Sequence, residues 1–236
     1  MKQQVLKYAF AIILKVHQAS YIKTMKKIPI TLFCALMLVF NKAHAMDNTQ
    51  RKNTVILAGL LTNTFAIANR QHLKACETQW DFGYTAGTDN KLYSDTLRLG
   101  FMRCDMDTSN ILPWGIEFSV LPTGLVSVWN TSAGSYGSSL YELGFVPIGQ
   151  FGKAIGPVFL DASFGLGPDL ISRTSIGHQR KSTVLQFTDE MGVGISDLKK
   201  RVRLSFTYRH ISNIDIKLPN NGTNFVGLGL SYRFHN

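Results

Sequence analysis

From residue 77 to the end of the chain, large apolar side chains alternate with small, polar or charged ones at a period of two, the spacing of β-strands. Trp80, Phe82 and Tyr84 alternate with Asp81 and Gly83, and Leu97, Leu99 and Phe101 with Arg98 and Gly100. Trp114, Ile116, Phe118 and Val120 alternate with Gly115, Glu117 and Ser119, then Tyr141, Leu143 and Phe145 with Glu142 and Gly144. Val158, Leu160, Ala162 and Phe164 follow against Asp161, Ser163 and Gly165, and Leu185, Phe187, Met191 and Val193 against Gln186, Glu190 and Gly192. The last two runs are Leu204, Phe206 and Tyr208 against Arg203, Ser205 and Thr207, and Val226, Leu228, Leu230, Tyr232 and Phe234 against Gly227, Gly229, Ser231 and Arg233. Turn-rich stretches such as 87–90, 107–110, 131–139 and 167–183 separate the runs. The pattern predicts eight strands of about 9–12 residues, the length a strand needs to cross a bilayer.

The polar register decides which way the sheet faces. It carries Arg98, Glu117, Glu142, Asp161, Glu190, Arg203 and Arg209 interleaved with glycine, a composition that suits a narrow lumen of paired charges. The apolar register then faces lipid, and Tyr84, Trp114, Trp129, Tyr141, Tyr208 and Tyr232 suit interfacial girdles. The expected fold is all-β: an eight-stranded antiparallel up-and-down transmembrane β-barrel over 76–236. A soluble lipocalin-like carrier, the competing class, would turn its apolar register inward. Residues 46–75 alternate poorly, and 55–68 reads as a short helix or an additional strand.

Residues 1–45 read as an export leader. Met25-Lys26-Lys27, the apolar run 28–40 and Ala43-His44-Ala45 give a basic start, a short apolar core and a cleavage site after Ala45, with Met25 the better start. Seven of the 25 basic residues and none of the 15 acidic ones lie there, so the remainder carries about +3 and the nucleic-acid class loses its support. Cys76 and Cys104 remain in an oxidising compartment, on neighbouring strands but opposite faces, so a disulfide needs an intervening bulge.

Two residues break the alternation where chemistry is possible. His210 and Ser212 fall on the apolar register near the end of the seventh strand. With the amino terminus in the periplasm that strand runs outward, and the pair lies at headgroup depth of the outer leaflet. A serine hydroxyl becomes a nucleophile when a nearby base takes its proton, and positions i and i+2 on one strand face put the two Cβ atoms about 7 Å apart. The plainer alternative makes Ser212 a loop-opening hydroxyl and His210 an interfacial residue. Asp189 also falls on the apolar register, across the 197–201 turn from 208–210, as a partner for His210 or as a residue turned into the lumen by a bulge. Glu190 is expected in the lumen with Arg203 or Arg209.

His210-Ile211-Ser212-Asn213, the stretch Lys217-Leu218-Pro219-Asn220-Asn221-Gly222, the closing residues 227–234 and, before them, Phe187 with Gly192-Val193-Gly194 resemble the carboxy-terminal signature of the lipid A 3-O-deacylase (PagL-type) family of acyloxyacyl-hydrolase-like outer-membrane barrels. The resemblance implies hydrolysis of the ester-linked 3-hydroxyacyl chain at position 3 of lipid A in lipopolysaccharide, without metal or cofactor. It makes Ser212 the nucleophile, His210 the base and Asn213 a contributor to the oxyanion hole. Where the family has a glutamate that orients the histidine, this chain has Asn224, so either Asn224 or Asp189 is left to hold the imidazole. Lys217, Arg209, Arg173, Arg180 and Lys181 lie in or beside the extracellular loops, either to meet lipid A phosphates or as solvated loop charges. A catalytically impaired structural or adhesive barrel of the same fold is the alternative, and a homodimer stays open.

Overall fold

The computed structural model describes residues 48–74, 76–89, 91–131 and 139–234, with helix side chains from residue 56 onward. The leader expected over 1–45 lies outside the described residues. Ten strands follow a helix: β1 (Glu77–Asp89), β2 (Leu92–Met106), β3 (Glu117–Thr131), β4 (Leu140–Ile155), β5 (Val158–Ile171), β6 (Ser175–Ile176), β7 (Gln179–Arg180), β8 (Leu185–Asp197), β9 (Val202–Ser212) and β10 (Thr223–Phe234). All but the small β6–β7 hairpin form a closed antiparallel barrel in which each strand pairs with its neighbours in sequence. β10 closes it against β1, from Trp80 opposite Phe234 to Thr88 opposite Val226. The eight barrel strands run from 11 to 16 residues, longer than expected, because pairing continues past the apolar runs.

The apolar register points outward. Leu97, Leu143, Leu204 and Leu230 stand on the outer wall about half or more exposed, a surface that only lipid covers favourably. The lumen holds the charges in pairs. Arg98 grips Glu190 through two N–H donors, Arg203 binds Asp161 at 2.6 Å, Arg209 binds Glu142 at 3.1 Å and Arg233 binds Asp81 at 3.3 Å. Glu190 thus takes Arg98 in place of the expected Arg203 or Arg209: those arginines sit closer to Asp161 and Glu142. A cavity of about 70 Å³ remains among Arg98, Glu190, Arg203 and their neighbours. At the end bearing the longer connections the lumen is filled instead by Leu92, Trp129, Leu140, Ile171, Ile176, Ile211 and Phe225.

Two girdle expectations fail for that reason. Trp129 is fully buried in this plug and donates its indole N–H to Glu142 at 2.5 Å, while Tyr208 is buried against Asn224; Tyr84, Trp114, Tyr141 and Tyr232 are exposed. Trp114 itself precedes β3, in a short 3₁₀ turn at φ 60°. The disulfide Cys76–Cys104 is formed. The register of β1 on β2 slips between Thr78 and Asp81, and that of β2 on β3 between Gly100 and Cys104, so the bulging on which the bridge depended is present.

The segment before the barrel is a helix, α1 (Asn48–Ala68), not a strand. Asn69 ends it by donating both its backbone N–H and its side-chain amide to Phe65 O, at 3.1 and 2.9 Å. α1 lies against the outer wall over β4, β5 and β8. Phe65 packs edge-on to Phe118 at 5.1 Å and beside Phe151 at 5.7 Å between centroids. Gly149 provides the notch for this packing, since a Cβ there would lie 2.1 Å from Thr62 Cγ2.

Candidate active site

β9 fixes the orientation of the site through its lumenal residues. Arg209 bonds Glu142, Ser127 and Ser94 inside the barrel, and Ile211 belongs to the apolar plug, so His210 and Ser212 point outward. The register sets their neighbours. His210 lies between Asp189 of β8 and Asn224 of β10, and Ser212 lies opposite Phe187 of β8. Glu190 is anchored inside by Arg98, so Asp189 is outward, in one row with His210 and Asn224. The bulge that would have turned it inward is absent from the β8–β9 pairing.

Outward does not mean open. His210, Ser212, Asp189 and Asn213 are at most 3% exposed and Asn224 is half-buried, so most of the row is covered. Part of the cover is the connection 213–222, whose Gly222 backbone stands against the imidazole.

Asn224 Oδ1 lies 2.6 Å from His210 Nδ1 and accepts the Tyr208 hydroxyl at 2.8 Å. An oxygen that takes both is acting as an acceptor, so Nδ1 carries the proton and Nε2 carries the lone pair. That is the tautomer a general base needs. Ser212 Oγ is buried and makes no hydrogen bond, so the proton-transfer contact with His210 is not closed in this arrangement.

Asn213 gives its backbone N–H to Asn220 Oδ1 at 3.1 Å and its side-chain amide to Ser182 Oγ at 3.0 Å and Lys217 O at 2.8 Å. Its donors fasten the loop, and as an oxyanion group it would first have to release them. Lys217 is exposed, and it is the Lys217 carbonyl that the loop uses. Of the five rim cations, Arg209 is buried in the lumen and Lys181 beneath the loops, which removes both from phosphate contact. The sequence offered Lys181 only as a rim cation, and its place beneath the loops is different. Its ammonium donates to Ile211 O and Asn221 O, and backbone acceptors leave no mark on a sequence pattern.

These features define an outer-membrane barrel that carries a buried serine and histidine beside a half-buried amide on its outer wall. The model of the family described as "Lipid A 3-O-deacylase (PagL)" matches residues 101–233, and the chain belongs to that family. The lipid A deacylase PagL of Bordetella bronchiseptica is 37% identical over 70 residues, which are 30% of this chain and 39% of that relative, so the alignment spans well under half of its length. The crystal structure of the outer membrane enzyme PagL superposes with a TM-score of 0.53 at 22% identity, over 64% of this chain and 98% of that one, which supports the shared barrel fold.

Proposed function

We propose that this protein is an outer-membrane esterase that removes the 3-O-linked acyl chain of lipid A, with Ser212 as nucleophile and His210 as base. The observation that carries the reading is the 2.6 Å contact between Asn224 Oδ1 and His210 Nδ1, on the outward face and two residues from an uncommitted buried hydroxyl. It leaves Nε2 as the basic nitrogen on the strand that bears Ser212. Ser212 Oγ attacks the acyl carbonyl and its proton passes to Nε2. The tetrahedral oxyanion then collapses, expelling the sugar 3-oxygen, which takes the proton back from the imidazolium. Water, deprotonated by the same nitrogen, hydrolyses the acyl-serine and releases the 3-hydroxy fatty acid.

Asn224 orients the ring but brings no charge to stabilise the imidazolium. Asp189, opposite His210 in register, supplies that charge in our reading, so the work of the family's single glutamate is divided between two strands. Exposed Lys217 meets a lipid A phosphate at the rim. Mass spectrometry of lipid A from cells expressing the wild type, Ser212→Ala or His210→Ala tests the scheme. The wild type removes one acyl chain and each variant leaves it in place, while all three remain heat-modifiable barrels. Deacylation that persists in either variant removes that residue from the mechanism. Unchanged lipid A in wild-type cells favours the non-catalytic barrel, a reading that the amide at position 224 keeps in play.

A further inference from the structure

Lys181 follows the β6–β7 hairpin, in the connection between β5 and β8, and is 5% exposed. Its ammonium donates to Ile211 O at 2.9 Å and to Asn221 O at 3.0 Å. Both carbonyls adjoin the site. Ile211 precedes Ser212, and Asn221 precedes Gly222, which stands so close to the imidazole that a Cβ there would lie 2.5 Å from His210 Cε1. A single cation therefore ties the residue before the hydroxyl to the residue before the wall of the ring. The backbone supports the same junction: Asn221 N–H donates to Arg180 O at 3.2 Å, and Lys181 pairs with Asn220 as an antiparallel bridge.

The alternative role, neutralising lumenal acids, fits less well. The carboxylates around Lys181 are Asp89 of β1, Glu142 of β4 and Asp169 of β5, and Glu142 already has Arg209. The ammonium's hydrogen bonds to Ile211 O and Asn221 O go to carbonyls, and burial pushes it down to about 8 against the pull of those acids. A buried cation is costly to keep, and this one is held where two site-bearing segments meet.

We propose that Lys181 is a positioning residue for the hydrolysis: by tying the 211–212 and 221–222 segments together it fixes the separation of Ser212 Oγ and the imidazole at which the proton passes. The proposal rests on Ser212 being the nucleophile. The test uses the full barrel in detergent and diethyl p-nitrophenyl phosphate, which reports serine reactivity apart from lipid binding. The Ser212 Oγ–P bond forms, the P–O bond to nitrophenolate breaks and the serine proton goes to His210. Lys181→Met, close in length but without donors, is expected to label at least about tenfold more slowly and to lose kcat on lipid A by a similar factor with KM nearly unchanged, because small displacements of reacting groups are costly in rate. Lys181→Gln still donates but reaches only one carbonyl, and is expected to lose about threefold. Labelling of the heat-modifiable Met variant at the wild-type rate overturns the proposal, as does an unchanged Gln variant should the Met variant not fold. Wild-type labelling blocked by Ser212→Ala keeps the parent reading intact in either case, whereas deacylation by Ser212→Ala removes both.

Discussion

Replacing Asn224 by leucine keeps its approximate size and removes the acceptor that His210 Nδ1 and the Tyr208 hydroxyl share, at 2.6 and 2.8 Å. Both donors then lose the Asn224 acceptor in a half-buried site, where each lost bond costs about 1–3 kcal/mol. If the loss at the ring falls on the transition state, the rate drops by about 5- to 150-fold. Asn224→Asp asks the converse question. Exchanging carboxylate for amide in a serine triad costs about 10⁴ in kcat, partly because the wrong tautomer is held. Here the oxygen already faces Nδ1, so only the charge is missing, and the gain from Asp depends on whether Asp189 supplies it. With Asp189 in that role, Asn224→Asp changes kcat by less than about tenfold while Asp189→Asn lowers it by about 10² or more, the range expected when a charge partner of a catalytic group is lost. Purified barrels assayed for released 3-hydroxy fatty acid, with heat-modifiable migration as the folding control, give both numbers. A folded Asn224→Leu barrel with wild-type kcat would refute the orienting role, and an unaffected Asp189→Asn the electrostatic one.

Two further outcomes follow from contacts already described. Gly222→Ala places a Cβ 2.5 Å from His210 Cε1, so the ring must turn off Asn224; kcat should fall by about 10² in a barrel of near-normal stability, and an active variant would show that the ring has room to spare. Cys76→Ser opens a loop of sequence separation 28, worth about 3–4 kcal/mol by chain entropy, and should lower the urea midpoint of the oxidised protein but not of the reduced one; equal midpoints under oxidising conditions would count against a stabilising bridge.

The barrel was legible because a membrane strand states both of its environments at every step. Leu143 beside Glu142, or Leu204 beside Arg203, already says which side is wet, and eight such runs leave few ways to close a sheet. The site was legible in part. His210 and Ser212 stood out as polar groups on an apolar register, and Asp189 as an acid on the same one. α1 was half-legible because Val55–Ala68 is apolar without alternation, a pattern that fits helix and strand alike, and the notch at Gly149 and the rings around Phe65 show where it docks. Trp129 misled because an aromatic near a strand end suits a girdle and a lumen plug equally, and its indole N–H found Glu142 inside.

The order of residues along the chain therefore determined the strands, their two faces and the side on which the hydroxyl and imidazole stand, since a period of two fixes direction locally. Tertiary structure alone decided what meets those groups. Register across β8, β9 and β10 sets Asp189 and Asn224, both already candidates, on either side of His210 at once, and loop packing covers part of the row, commits the donors of Asn213 and carries the Lys181 ammonium to two backbone carbonyls. The loop contacts join segments far apart in sequence, many of them through backbone atoms that every residue possesses, so no pattern of side chains could announce them.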